Sequence, residues 1–142
     1  MFQALQRELG YLREEICDKK ESEWRNVASY RAYAVFTVCR ILYSSKHGTI
    51  VSKQQAGRWA IKNLPEKWNQ IILQAFETYD GKRDAGISIS RVKQFIDFAD
   101  ARVRLRELDE RFITNEALGL MYVSADNRML AHSLVFHTST GH

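Results

Sequence analysis

The scarcity of proline and glycine limits what this chain can fold into more than any other feature. There is one proline, Pro65, and there are seven glycines among 142 residues. An all-β protein of this size needs a tight turn about every 8 to 12 residues, which this composition does not supply. Because 45% of the residues are hydrophobic, the chain has enough apolar side chains to bury a core. The composition and length therefore favour one domain built from long helices.

Apolar side chains recur at three- and four-residue intervals along five segments, as in helices that bury one side. Ser52 begins the third segment with the S-x-x-Q pattern of a capping box, and Gly48 follows the second as a left-handed C-terminal cap. We predict an all-α, antiparallel helical bundle over residues 1–115 and a tail of uncertain structure over 116–142. The predicted helices span about 2–20, 27–47, 53–64, 65–79 and 90–112.

The predicted interior consists of aromatic and aliphatic side chains from the second to fifth helices. Trp59 and Trp68 are assigned to it. Cys17 and Cys39 lack CxxC or Cys/His ligand spacing, so both are expected to be buried free thiols, and no metal site is expected. Arg40 is expected to be buried beside a carboxylate or carbonyl in a structural role. The predicted apolar stripe of the fifth helix comprises Val92, Phe95, Ile96, Ala99, Val103 and Leu108.

Positive charge is concentrated in one part of the chain. The net charge is +4, yet residues 40–67 contain six basic side chains and one acidic side chain, Glu66. Such a segment suits a polyanion such as a nucleotide, or is simply a solvated basic face. Charges on the fifth helix nearly balance, so a nucleic acid partner is not expected. Uncharged stretches are too short to span a membrane, and a cytoplasmic location is expected.

Motifs that mark common catalytic sites are missing from the sequence. It contains no glycine-rich phosphate loop of the GxGxxG or GxxxxGK type, no HExxH and no GxSxG. Paired acids such as Asp97 and Asp100 lie on charge-balanced helical surfaces, where solvated salt bridges are the commoner explanation. We therefore predict no catalytic residue in this chain.

The run 27–81 resembles a known family. Its most specific parts are CRILY, GTIVSK, RWA, the NLP turn and ETYDG, which occur in order and without gaps. The run resembles the helical C-terminal domain of aminoglycoside nucleotidyltransferases, the adenylyltransferases that modify streptomycin and spectinomycin. In that family, ATP and the drug bind between this domain and an N-terminal nucleotidyltransferase domain, which carries the magnesium-binding aspartates and the glutamate base. The resemblance therefore implies ATP with Mg²⁺ as cofactor, the metal being held by the other domain.

The resemblance also implies three nucleotide-binding residues. It places Lys53 near the phosphates, Tyr79 in contact with the nucleotide, and Tyr33 where some relatives have a histidine near the phosphates. The position of Lys53 at the start of the third predicted helix independently supports its assignment to the phosphates, because a helix N-terminus favours an anion. This assignment requires that the Lys53 ammonium face a cleft and not a salt bridge on the far side of the molecule. Tyr79 has an alternative interpretation as a core aromatic at a helix end.

The resemblance also implies three residues that face the drug. Trp24 and Asn26 lie in the region from which relatives contact the antibiotic, although Trp24 also suits the cover of a bundle end. Tyr30 stands where relatives have an acidic residue facing the drug. The departures at Tyr30 and Tyr33 leave the drug undefined. The expected function is the substrate- and nucleotide-binding half of an adenylyltransferase that is inactive alone, with the N-terminal domain and an aminoglycoside or spectinomycin as partners.

Two alternatives use the same residues. Arg40 and His47 form an R-x6-H spacing, which falls within the R-x4-6-H of helical HEPN-type ribonucleases, whose arginine and histidine act on the RNA phosphate across a dimer. His47 before Gly48 is also a favoured helix-terminal residue. A second alternative is a non-catalytic accessory module that pairs with a separately encoded nucleotidyltransferase domain. The methionine just before the first helix suggests a truncated or separately expressed C-terminal piece.

Overall fold

Helix α2 is buried on almost every side, and three other helices, α1, α3 and α4, pack against it. The computed structural model of the chain describes residues 1–18, 27–81 and 83–126. Helix α2 spans Ala28–His47 and contains 11 buried residues. Each regular element within the described ranges is helical, which confirms the predicted all-α class. The others are α1 (Phe2–Arg13) with a π-helical turn (Glu14–Asp18), α3 (Lys53–Asn63), a 3-10 turn (Glu66–Trp68), α4 (Asn69–Gly81) and α5 (Ile89–Asp126).

Both predicted caps are present where α2 turns into α3. Gly48 adopts a left-handed conformation with φ of 72°, and its N–H donates to the Ser44 carbonyl at 2.8 Å. A side chain at that φ would be strained, so glycine suits the turn. Ser52 and Gln55 form the capping box of α3, in which each side chain accepts from the backbone N–H of the other residue. The connection between α2 and α3 is therefore well defined.

Most of the residues that the sequence analysis assigned to the core are buried in the structure. Trp68 is buried, Trp59 is partly buried against the core, and the stripe of α5 is buried from Val92 to Val103. Leu108 is 57% exposed, so its assignment to the core is wrong. Cys39 is a buried free thiol, and burial raises the pKa of this thiol. The side chain of Cys17 lies outside the described part of the chain.

Two helix boundaries differ from the predicted ones. Pro65 is followed by a 3-10 turn, and α4 begins only at Asn69 instead of at the proline. Helix α5 continues to Asp126, beyond the predicted end near 112, because backbone helix formation does not require the regular apolar stripe whose loss set the predicted end. Residues Met1–Arg104 form one compact unit and the chain from Leu105 belongs to a second. The division into 1–115 and 116–142 stays a prediction.

No helix within the described ranges has the length and apolar character needed to cross a membrane.

A glycine allows α3 to pack closely against α2 and α4. A Cβ added at Gly57 would lie 2.8 Å from Cζ of Phe76 and 3.0 Å from Cε1 of Phe36. Real Cβ atoms do not approach other atoms so closely, and both rings are held in the core. The three helices can therefore meet at this distance only because residue 57 has no side chain.

We expect Gly57→Ala to lower the free energy of unfolding by about 1 to 2 kcal/mol. Overpacking costs about 1–3 kcal/mol, and the better helix propensity of alanine returns up to about 1 kcal/mol. Urea denaturation followed by circular dichroism measures the change. The matched control is Gly10→Ala, because a Cβ at Gly10 meets nothing within 4 Å. The control should be neutral or stabilising, and an equal loss in both variants would contradict the packing argument.

Candidate functional site

A stripe of polar side chains runs along α2 and forms one wall of a cleft. Tyr33, Thr37, Arg40 and Ser44 recur at steps of four, three and four residues, which places them on one side of the helix. The cleft has a volume of about 270 Å³. Its remaining lining residues are Leu5 and Glu8 of α1, Ile41 of α2, and Ile50 of the connection to α3. The most buried helix of the fold thus carries polar groups along the side that faces the cleft.

The hydroxyl groups of the cleft already donate to the backbone. Thr37 Oγ1 donates to the Tyr33 carbonyl at 2.8 Å, and Ser44 Oγ donates to the Thr49 carbonyl at 3.0 Å. Each hydroxyl has one proton, so a ligand would meet these two oxygens as acceptors. The Ser44 hydroxyl also ties the connection after α2 to the helix, whereas the Thr37 hydroxyl bonds within α2.

Arg40 supplies a positive charge to the cleft. Its side chain is half-buried and forms no ion pair with any residue in the described part of the chain. A guanidinium presents five N–H donors in a planar fork, which suits a carboxylate or a phosphate. Arg40 was expected to be buried beside a carboxylate or carbonyl; the structure shows it half-buried and without a carboxylate partner among the described residues, and its structural role stays a prediction. The structure makes Arg40 available to an anion in the cleft.

Lys53 brings a second cation to the same side of the molecule. It is the first residue of α3, directly after the Ser52 cap. Its Nζ lies 4.6 Å from the centroid of the Tyr33 ring, and Tyr33 lines the cleft. Within the described residues Lys53 forms no salt bridge. The ammonium group is thus not held in a salt bridge with a described residue; it lies over the ring of Tyr33, a lining residue, although Lys53 does not itself line the cleft. The role of Lys53 stays a prediction.

Tyr79 reaches the same face of α2 from the end of α4. Its ring packs edge-on against Phe36 with centroids 5.7 Å apart, and Phe36 lies one turn after Tyr33. Tyr79 nevertheless remains 43% exposed. It is thus anchored on the core at one edge and accessible at another, which does not fit a fully buried core aromatic. Of the three residues predicted to bind the nucleotide, Tyr33 lines the cleft, Lys53 lies over the Tyr33 ring, and Tyr79 contacts Phe36 without lining the cleft.

Tyr30 extends this aromatic face toward α1. Its ring centroid lies 5.4 Å from that of Tyr33. Burial raises the pKa of the Tyr30 hydroxyl, and the Glu15 carboxylate and Tyr33 raise it further. Tyr30 therefore stays neutral near pH 7. The other predicted drug contacts, Trp24 and Asn26, lie outside the described residues.

Arg40 and Glu8 are cleft residues that sequence analysis did not assign to the site. A signal for Arg40 was present, because Thr37, Arg40 and Ser44 continue the helical spacing of Tyr33 within an otherwise apolar helix. Glu8 had no comparable signal. It is one of several charged residues on α1, and only the packing of α1 against α2 identifies it.

The ribonuclease alternative needs Arg40 and His47 to act on one phosphate. His47 is not among the side chains that line the cleft. Its ring instead packs on Tyr43 and Trp59, with centroids 4.4 and 5.9 Å away. The two residues thus have different surroundings within this chain, so a shared phosphate site would need a second copy of it, and the ribonuclease alternative stays a prediction.

Magnesium has no evident ligands in this part of the protein. In the ranges that the structure describes, no three His, Cys, Asp or Glu side chains are arranged to hold a metal ion. The described residues do not fit a magnesium site. They do fit an anion, because two cations without ion-pair partners lie beside one cleft.

Comparison with known proteins gives consistent matches. The sequence model of the family described as "Aminoglycoside adenylyltransferase, C-terminal domain" matches residues 1–102. The chain is similar to proteins named "Aminoglycoside (3'') (9) adenylyltransferase". It is 32% identical over 71 residues to the one from Rhizobium radiobacter, covering 49% of this chain and 26% of the relative. It is 31% identical over 70 residues to the one from Klebsiella pneumoniae, a match that covers 49% of this chain and 27% of the relative. It is 36% identical over 64 residues to the one from Escherichia coli, a match that covers 45% of this chain and 24% of the relative.

The chain therefore spans about a quarter of the length of these relatives. No solved structure matches it.

We expect Ser52→Ala to destabilise the start of α3, where Lys53 lies. The substitution removes the hydroxyl that accepts from the Gln55 N–H, a loss that costs about 0.5–2 kcal/mol at helix N-caps. Urea denaturation measures the free energy of unfolding. Ser52→Thr keeps a hydroxyl acceptor and is the matched control, so it should remain closer to the parent. A cap without importance would leave the alanine variant as stable as the threonine variant.

Proposed function

The chain belongs to the family of aminoglycoside adenylyltransferase C-terminal domains, and from that premise we propose that it provides one wall of an ATP site in an enzyme that adenylylates an aminoglycoside or spectinomycin. The other wall comes from a nucleotidyltransferase domain. One observation carries the proposal: Lys53 and Arg40, two cations without ion-pair partners among the described residues, lie beside one cleft. Relatives named adenylyltransferases supply the reaction class.

The charges suit a triphosphate better than a neutral ligand. Lys53 begins a capped helix, where the backbone N–H groups and the helix dipole add to the attraction of the ammonium for an anion. Arg40 can form two parallel hydrogen bonds to one phosphate from its position on α2. Tyr79, which is exposed beside the same face, is available to contact the nucleoside part. Phosphates therefore bind at Lys53 and Arg40 in this proposal.

The cleft is too small and too open to hold a whole nucleotide by itself. Its volume of about 270 Å³ lies just below the range of about 300–1,000 Å³ that is usual for ligand pockets. Apolar side chains at and near its edge are exposed to solvent, with Ile50 at 78% and Tyr33 at 39%. Exposed apolar residues beside a binding cleft are typical of a surface that another domain covers. These features support a second wall that this chain does not contain.

In adenylyl transfer the drug hydroxyl attacks the α-phosphorus of ATP, the bond from that phosphorus to the bridging oxygen breaks, and pyrophosphate leaves. Lys53 and Arg40 hold the phosphates and offset negative charge that grows on the leaving pyrophosphate. Magnesium, when bound to the other domain, supplies further positive charge to the phosphates. The residues of this chain thus bind and orient, and the residues that activate the hydroxyl lie elsewhere. For this reason we propose that the chain is inactive alone.

We expect the isolated chain to bind ATP weakly and Lys53→Met or Arg40→Met to weaken that binding about tenfold each. A tenfold change equals about 1.4 kcal/mol, near the lower limit for a hydrogen bond to a charged group. Isothermal calorimetry at two salt concentrations measures the affinity, which should fall as salt rises. Lys62→Met removes the same charge from an exposed position of α3 and should leave the affinity unchanged. Adenosine is the control ligand, because it has no phosphates for the two cations to bind.

Equal ATP affinity in the parent and in Lys53→Met would remove Lys53 from the site. Equal sensitivity of ATP and adenosine would show that the substitution disturbs the fold and not the phosphate contact.

We expect AMP transfer only when the chain is mixed with a nucleotidyltransferase domain from a relative. Each protein alone lacks one wall of the site, so neither should modify a drug. The assay follows transfer of labelled AMP to streptomycin and to spectinomycin in separate reactions, and Lys53→Met should lower the rate of the mixture. Transfer by this chain alone, or a rate that does not depend on it, would refute the proposed division of roles.

A further inference from the structure

The Lys53 ammonium is held by an aromatic ring and not by an acid. Its Nζ lies 4.6 Å from the centroid of Tyr33, within the distance at which a cation and a ring face attract each other. Lys53 is half-buried and has no salt bridge with a described residue. A lysine side chain loses much rotamer freedom when it is fixed in one place. The ring is therefore the feature of the structure that favours one position of the ammonium.

The Tyr33 ring is itself held in place. It lies on the rigid helix α2, and the Tyr30 ring packs beside it at a centroid distance of 5.4 Å and an interplanar angle of 30°. Tyr33 remains 39% exposed although Lys53 lies over its ring, so part of its side chain is accessible to solvent. A fixed ring beside a cleft can orient a flexible cation without closing off the cleft.

A ring has an electrostatic advantage over a carboxylate in this position. A carboxylate would bind the ammonium more strongly, but it would neutralise the charge and repel an incoming phosphate. A neutral ring attracts the ammonium through its quadrupole and leaves the full positive charge available to an anion. An aromatic partner thus positions the lysine at little cost to its attraction for phosphate.

We infer that Tyr33 is a positioning residue that acts on the nucleotide through Lys53, an inference that rests on the proposed function. Tyr33 holds the ammonium beside the cleft before ATP binds, so that less side-chain freedom is lost on binding. A direct contact between the Tyr33 hydroxyl and a phosphate is not required. The ring, and not the hydroxyl, is then the part of Tyr33 that matters.

The test compares Tyr33→Phe, which keeps the ring, with Tyr33→Leu, which removes it. A proton above a ring face resonates upfield, so the ε-methylene protons of Lys53 should be shifted upfield in the parent and in Tyr33→Phe but not in Tyr33→Leu. Lys53→Arg assigns the signal in a carbon–proton NMR spectrum. Calorimetry should show ATP affinity lowered about two- to fivefold in Tyr33→Leu, as expected for a partly exposed cation–ring pair, and unchanged in Tyr33→Phe.

A double-mutant cycle separates positioning from a general effect on the fold. In a Lys53→Met background the further change Tyr33→Leu should not alter ATP affinity, because the cation on which the ring acts is gone. A loss of the same size in both backgrounds would overturn the inference. So would a Tyr33→Phe variant as weak as Tyr33→Leu, a Tyr33→Leu variant as tight as the parent, or the lack of an upfield shift in the parent.

Failure of the proposed function gives a different result. If ATP affinity is the same in the parent and in Lys53→Met, the nucleotide does not bind at Lys53 and both proposals are refuted. If Lys53→Met weakens binding but the ring-current shift is missing, only the role of Tyr33 is refuted.

Discussion

The arrangement of the site depends on one buried ring, that of Phe36. It is fully buried in α2, its centroid lies 5.0 Å from that of Phe76 in α4, and α3 approaches it at the bare backbone of Gly57. Protein interiors are close-packed, so such a junction leaves little freedom for the three helices to slide past one another. The start of α3 and the end of α4 are thereby held against the same side of α2. Residues far apart in sequence reach one cleft because this junction fixes the helices that carry them.

The distribution of ion pairs distinguishes the cleft from the rest of the surface. Most of these ion pairs are partly exposed, so each contributes little to stability. In each pair, however, the carboxylate neutralises a cation that would otherwise attract anions. Lys53 and Arg40 have no such carboxylate partner among the described residues: Lys53 lies over the Tyr33 ring and Arg40 lines the cleft. Arg40 and Lys53 thus place two cations at and beside the cleft, whose lining also contains the Glu8 carboxylate. Ion pairs elsewhere in the described residues include those of Arg13 with Asp97, Arg31 with Asp84, Arg83 with Glu77, Arg104 with Asp100 and Arg111 with Glu107.

Local features of the fold could be predicted because they depend on residues close together in sequence. The cap at Ser52 and the left-handed turn at Gly48 follow from the chemistry of one or two residues, and the structure confirms both. The apolar stripe of α5 was confirmed up to Val103 for the same reason. Leu108 was wrongly assigned because helical spacing shows which side of a helix is apolar but not where the neighbouring helices end. Burial is a property of the packed molecule.

The sequence by itself determined the helical class, the caps and the family, since each depends on local composition or on an ordered run of motifs. It also identified Lys53, whose place at a helix start is a local fact. Only the tertiary structure decided that Arg40 lines a cleft with Glu8, and that a ring of α2 holds the ammonium at the start of α3. The physical reason is that a charged side chain takes its role from whatever lies opposite it. In a bundle, that neighbour comes from another helix, at a distance that hydrophobic packing alone sets.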